Sequence, residues 1–306
     1  MAVFLDDRSD DERRRGHIYA GDLFLHVATP RSLELCEFAR SLMREAFGGV
    51  DPEFAQFELP VEKYAEVLAQ LKPKFIHHPE SKRIIRELLR EMGCDPEQTY
   101  FDVPRMRTAT SDGYLTTGIA YAFHPHRDTW YSAAMSQINW WIPVYEVEAN
   151  NAMAFHPKYF STPLRNSSAD YNYQEWNANN RFNAAQHIKS DTRVQPRALE
   201  TVEIEPHVCV LPTVGGLLMF SGAQLHSTIP NTSGRTRFSI DFRTVHRGDL
   251  EKFRGARNVD SFCTGSALPD FLRLSDLSHL PPELIEPYMP GHPQAPPKEN
   301  VAALVG

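Results

Sequence analysis

The chain has 306 residues, 42% hydrophobic and 23% charged, with a formal net charge of −7 and a pI of about 6.0. This is ordinary globular composition. The acidic balance excludes nucleic acid as the main partner, because phosphate binding needs a basic surface. No run of about 20 apolar residues exists, which excludes a helical membrane span and a membrane partner of that kind.

At the N-terminus a short apolar start, Met1–Leu5, gives way to dense charge from Asp6 to Arg15. A secretory signal needs an apolar stretch of about 7–15 residues after a basic start, so none is expected. The four cysteines, Cys36, Cys94, Cys209 and Cys263, form no CxxC pair. A disulfide framework or structural zinc site is therefore not expected, and scattered thiols fit a reducing cytoplasm.

Residues 1–97 read as a mostly helical cover. Tyr19–Ala28 is a candidate short strand. Arg31–Phe47 carries Leu35, Ala39, Leu42, Met43 and Ala46 at helical spacing, and Gly48-Gly49 stops it. Pro60–Leu71 follows, with Pro60 in the first turn and Val61, Tyr64, Ala65, Leu68 and Leu71 on one stripe. Pro79–Met92 places Ile84, Ile85, Leu88, Leu89 and Met92 inward and has Gly93 as its cap. These stripes are expected to pack on one face of a sheet.

After residue 97 the period changes. Thr99–Thr108, Gly118–His126, Gln137–Val147, Ala152–His156, Val202–Leu211, Leu217–Ser221 and Thr236–His246 read as strands. Helices first and short strands afterwards predict a mainly β protein. The expected core is an antiparallel double sheet of jelly-roll (double-stranded β-helix, cupin-like) type, flanked by helices, not a parallel βαβ fold. The expected organisation is a single domain: cover over 1–97, β core over 98–250, C-terminal extension over 251–306. Residues 161–200, with Tyr171, Tyr173 and Trp176 among many asparagines, interrupt the strands. They read either as a lid over the barrel mouth or as a surface elaboration. The proline-rich end, from Pro281 to Gly306, is expected to wrap the surface or fray.

The chemistry-bearing stretch is Ala120–Tyr131, which contains His126-Arg-Asp128. If the strand continues, His126 and Asp128 face one way and Arg127 the other. A neutral imidazole beside a carboxylate suits Fe(II), but alone the pair is a common surface match. His226 follows Gly215-Gly216 and the apolar Leu217–Phe220, so a second imidazole can sit at a strand end. Parity puts Arg237, Ser239, Asp241 and Arg243 on one face and Phe238, Ile240 and Phe242 on the other. The polar face is either solvent-exposed or turned into the barrel, where Arg237 would pair with a carboxylate and Ser239 add a hydroxyl.

Other polar residues are weighed the same way. His124 shares the parity of His126 and is either a packed strand histidine or a supporting partner. His156, His187 and His207 lack supporting spacing and are taken as structural. Arg105 and Arg107 share a face, as surface charge or as contacts to a substrate carboxylate or phosphate. Trp140 and Trp141 point oppositely, one to the core and one toward a pocket. Arg107, Asn139 and Trp140 are the candidate substrate contacts. A kinase is excluded, since the Asn that its HRD motif requires is replaced by Ala133, and no GxSxG elbow supports a serine hydrolase.

These stretches together resemble the Fe(II)/2-oxoglutarate-dependent oxygenases, in particular the phytanoyl-CoA-hydroxylase-like branch. The matching segments are His126-Arg-Asp128, Gln137–Val144, Asn150–Pro157, Gly215–His226 and Arg237-Phe-Ser239. Within that branch the chain is similar to hydroxylases of bacterial natural-product pathways such as streptomycin-type clusters. The resemblance implies iron on His126, Asp128 and His226. It implies the distal carboxylate of 2-oxoglutarate on Arg237 and Ser239, and O2 as the oxidant. The implied reaction is hydroxylation of an unactivated C–H bond in a small polar metabolite, with release of succinate and CO2. Related halogenases lack the carboxylate ligand, so Asp128 argues against halogenation. Ring closure or desaturation of an amino-acid-like substrate is the alternative outcome. A cupin-like isomerase or a binding module without chemistry is the alternative class.

Overall fold

A computed structural model describes residues 1–179, 186–188 and 190–289. The chain starts with β1 (Val3–Leu5), α1 (Asp11–Tyr19) and β2 (Leu23–His26). Next comes α2 (Pro30–Phe47), whose N-terminus is closed by reciprocal hydrogen bonds between Thr29 and Ser32 and whose C-terminus is closed by Gly48 at φ 63°. The short α3 (Ala55–Glu58) leads to α4 (Val61–His77) and α5 (Pro79–Glu91). The helix expected to stop at Leu71 thus runs through Pro73 to His77. Pro73 removes one backbone donor, but the fully buried Phe75 beyond it anchors the added turn.

The strands are β3 (Thr99–Phe101), β4 (Arg105–Ala109), β5 (Ile138–Pro143), β6 (Met153–Phe155), β7 (Val208–Cys209), β8 (Leu217–Ser221), β9 (His226–Thr228), β10 (Arg237–His246) and β11 (Leu272–Arg273). They form two sheets. The larger runs β1-β2-β8-β5-β10-β3-β11, with β4 also paired to β10, and the smaller is β7-β6-β9. Among the described strands all pairings are antiparallel except β1 with β2. The strand expected over Thr99–Thr108 is broken at Asp102–Pro104.

Alternation divides the larger sheet cleanly. Ile138, Trp140, Ile142, Met219, Phe238, Ile240 and Phe242 face one way and share a core with the stripes of α2, α4 and α5. Leu23, Trp141, Leu218 and Phe220 face the other way and pack with Met153, Phe155 and Val210 of the smaller sheet region. The helices therefore cover the outer face, and the inner face looks into the space between the sheets. No described helix is long and apolar enough to cross a membrane.

Gly118–His126 is not a strand. Gly118–Ala120 is a short 3-10 turn, and only His126 pairs, in a single bridge to His226. On the N-terminal side of His126 the register slips, and the Thr228 amide donates to the Phe123 carbonyl at 2.9 Å instead of to His124. The described part of 161–200 carries α6 (Tyr173–Asn179) and a bridge from Asn166 to Ala198. It meets the Gly118 region, where Thr117 Oγ1 lies 2.8 Å from the carbonyls of both His187 and Ile188 and donates its one hydrogen between them. Within residues 251–289 β11 lies beside β3, and α8 (Pro282–Ile285) with the preceding α7 (Arg247–Glu251) flanks a small core containing Phe271 and Leu284. Of the tail expected to wrap or fray, Leu284 is buried, while residues 290–306 lie outside the described residues.

Candidate metal centre

His126, Asp128 and His226 converge: one ligand atom from each lies within 4.8 Å of the others. Asp128 Oδ1 is 3.6 Å from His126 Nε2 and 3.9 Å from His226 Nε2. The bridge between His126 and His226 explains the meeting. Each main-chain amide donates to the other's carbonyl at 3.0 Å, which places two imidazoles from distant segments side by side. Asp128 does not follow on a strand. It opens a 3-10 turn, Asp128–Tyr131, which swings its carboxylate back under the imidazoles.

The hydrogen bonds fix what these rings present. His126 Nδ1 lies 2.8 Å from the His124 carbonyl, and His226 Nδ1 lies 3.0 Å from the Gln224 carbonyl. A carbonyl only accepts, so each Nδ1 carries the proton and each Nε2 offers a lone pair inward. Burial pushes the His226 imidazole down to about 4. Burial alone would lift the Asp128 carboxyl. His126, Arg243 and His226 outweigh it and hold Asp128 well below the usual carboxylate range. Two lone pairs and an anion thus point into one volume. Two bonds of roughly 2.1 Å span about 4.2 Å, so a small inward adjustment brings all three onto one ion. Donor identity suits a divalent ion with open positions.

The inner face of β10 continues the site. Arg237 is 6% exposed, lies 5.5 Å over the Trp141 ring, and donates through Nη1 to the Asn151 carbonyl at 2.6 Å. Among the described residues its Nε has no hydrogen-bond partner, and neither does the Oγ of the fully buried Ser239. No described carboxylate pairs with Arg237, and burial pushes its guanidinium down to about 10. Further along, Asp241 accepts from Arg107 at 2.9 and 3.0 Å, while Asp102 accepts from Arg105 at 2.5 Å and from Arg243 at 2.7 Å. The face of Arg237, Ser239, Asp241 and Arg243 is therefore interior. Arg105 and Arg107 are not surface charges: β4 pairs with β10 and turns them inward.

The candidate substrate contacts fare differently. Arg107 lies on the inner face, 5.4 Å over the Phe123 ring, and Phe123 stacks on His126 at 5.0 Å. Asn139 is inward, but its amide is already used on Asp128 Oδ2 at 2.8 Å. Trp140 faces the helices, stacked on Phe242, with Nε1 donating to Thr244 Oγ1 at 2.9 Å; its neighbour Trp141 is the inward one. His124 is exposed and contributes its carbonyl, not its ring. His156 bonds Ser227 Oγ at 3.0 Å and His207 lies 2.9 Å from Glu205, and neither is one of the three clustered donors. His187 Nδ1 lies 3.9 Å from Asp191.

Two supporting features had no local sequence signal. Arg127, fully buried, meets Asp260 at 3.0 Å and donates to the carbonyls of Ala223, Tyr159 and Thr162. Asp260 also accepts from Trp130 Nε1 at 2.7 Å. Tyr131 stands edge-on to His126 at 5.6 Å and continues to Tyr171 at 5.4 Å.

No protein-family model matches the chain, and no curated protein matches it. Solved structures are similar in outline. Apo ThoJ, a non-heme monooxygenase, shares 12% identity with a TM-score of 0.37 over 72% of this chain and 71% of its own. SnoN, a non-heme alpha-ketoglutarate-dependent epimerase from nogalamycin biosynthesis, shares 12% with a TM-score of 0.39 over 77% and 84%. SnoK, a carbocyclase of the same biosynthesis, shares 14% with a TM-score of 0.38 over 78% and 84%. At these identities and TM-scores the likeness assigns no role to any residue of this chain.

Proposed function

We propose that the chain is an Fe(II)- and 2-oxoglutarate-dependent dioxygenase of the phytanoyl-CoA-hydroxylase-like branch. In this reading it is one domain with a double-stranded β-helix core. The observation that carries the reading is the pairing of two unmet needs in one dry interior. Three inward donors ask for a cation, and the Arg237 guanidinium, with one free Nε and no described carboxylate beside it, asks for an anion.

Iron with 2-oxoglutarate and O2 would supply oxidation of an unactivated C–H bond, with release of succinate and CO2. The protein's residues supply the rest. His126 and His226 hold neutral Nε2 donors in place through their Nδ1 bonds to main-chain carbonyls. Arg237, with Ser239 beside it, holds the distal carboxylate of the keto acid against the Trp141 ring. Trp141, Leu218, Phe220 and Phe155 wall that region from water. Phe123 and Tyr131 flank the imidazoles, and the partly accessible Arg107 and Asp241 line the open side. That polar lining, with the asparagine-rich 161–200 segment, favours a small polar metabolite, as in bacterial natural-product biosynthesis. Hydroxylation is the default outcome; ring closure or desaturation follows if the substrate is held differently.

The test is spectroscopic and catalytic. Anaerobic Fe(II) plus 2-oxoglutarate is expected to give a weak visible charge-transfer band. Succinate should form only when Fe(II), 2-oxoglutarate and O2 are all present. His126→Ala should abolish both signals. A metal-binding protein with no such band and no succinate is the non-oxidative cupin-like isomerase or binding module instead.

A further inference from the structure

The carboxylate of Asp128 is gripped on one oxygen only. Its Oδ2 accepts from Asn139 Nδ2 at 2.8 Å and from Gln137 Nε2 at 3.2 Å, and Arg243 Nε stands 3.9 Å away. Its Oδ1 faces the two imidazole Nε2 atoms. The two amides also fix each other. Gln137 Nε2 donates to Asn139 Oδ1 at 2.9 Å, so the Asn139 nitrogen must be the atom turned to Asp128. Both side chains are almost fully buried, so water does not satisfy them.

From this arrangement we propose that Gln137 and Asn139 are positioning residues that hold Asp128 as a one-oxygen metal ligand. This rests on the metal-site reading above. For Asp128 to chelate through both oxygens, Oδ2 would have to give up at least one of its two buried amide donors. Each such donor costs about 1–3 kcal/mol. A carboxylate held to one oxygen leaves a third cis position open on an octahedral ion, where chelation would leave two. Space for the grip comes from Gly222. A Cβ there would meet Gln137 Nε2 at 3.3 Å and the Asp128 Cβ at 3.5 Å, and the Gly222 amide donates to the Gln137 carbonyl at 3.0 Å. The sequence form of the device is two amides at i and i+2, Gln137 and Asn139, on the inner parity of β5 and the residue before it.

The test uses the full chain, stripped of metal and titrated with Co(II), whose visible bands report coordination. Asn139→Leu and Gln137→Leu are each expected to raise the Co(II) Kd about ten- to a hundred-fold, the usual effect of losing a partner of a metal ligand. Both should also change the band shape, because Oδ2 is freed to bind. Trp140→Phe, on the opposite face of the same strand, is expected to lower Tm and leave the Co(II) Kd and bands unchanged. Asn139→Ser adds no bulk and carries the test if the leucine variants do not fold. Folded variants with Kd within two-fold of the parent and identical bands overturn the proposal. If the parent chain binds no Co(II), it is the metal-site reading that fails, and the two failures are thereby told apart.

Discussion

The two ends of β10's inner face treat buried charge in opposite ways. At the start, Arg237 and Ser239 sit in a dry apolar wall with donors that no described side chain satisfies. Toward the other end, Asp241 and Arg243 are tied to Arg107 and Asp102, and both are partly open to solvent. A paired ion at a half-wet site is a framework element. An unpaired cation in a dry site is sustained only by something that binds there. The same strand thus carries a receptor at one end and a scaffold at the other.

Exchanging the roles breaks the comparison if it is wrong. The largest expected effect is that of Arg237→Ala. It should raise the 2-oxoglutarate concentration for half-maximal succinate formation about 100-fold, because a buried carboxylate loses its charged partner. The ligand-free protein should lose little Tm, since no internal ion pair is broken. Asp241→Asn should do the reverse. It strands Arg107 and should cost about 1 kcal/mol in urea unfolding, discounted for partial exposure, with the 2-oxoglutarate requirement nearly unchanged.

The last effect is one of pH and concerns Lys72 of α4, beside this paired end. Its Nζ donates to the Ile119 carbonyl, not to a carboxylate. Burial pushes its ammonium down to about 7; Arg107 adds to the shift and Asp241 opposes it. The folded pKa is depressed, so between pH 7 and the ordinary lysine value, about 10.4, the unfolded chain binds the extra proton. Stability from this group therefore rises with pH across that window and is absent below it. Thermal unfolding of Lys72→Met should show a flatter rise from pH 7 to 10 than the parent. Equal slopes would place Lys72 in water and outside the scaffold.

How legible the site was depended on whether its determinants were local. Parity along β10 assigned Arg237 and Ser239 to one face because a ten-residue strand keeps its alternation. Parity could not say which face was interior; the helix stripes decide that by claiming Phe238, Ile240 and Phe242. The same rule separated Trp140 from Trp141 but not which one faced inward. His126 and Asp128 were found for a reason that did not hold, since no strand carries them. The pairing slips beside His126, and a turn supplies the geometry of Asp128. Asn139 looked like a substrate contact because its partner Asp128 lies across that unforeseen turn. Parity left Arg105 and Arg107 open between surface charge and substrate contact; Asp102 lies only three residues before Arg105, but Asp241, the partner of Arg107, comes from β10 and meets it only in three dimensions. Asp260 left no trace at all, being a lone carboxylate far along the chain.

That lone carboxylate also sets an order of events. Arg127, between two of the proposed ligands, is anchored by a residue 133 positions later. Contacts of such separation close late, after their loop entropy has been met. During synthesis His126 and Asp128 emerge long before the segment that stiffens them. Even His226 precedes it. The metal site should accordingly mature as one of the last steps of folding, when residues beyond 250 dock. A chain cut before Asp260 should keep its ligands in sequence but not in register.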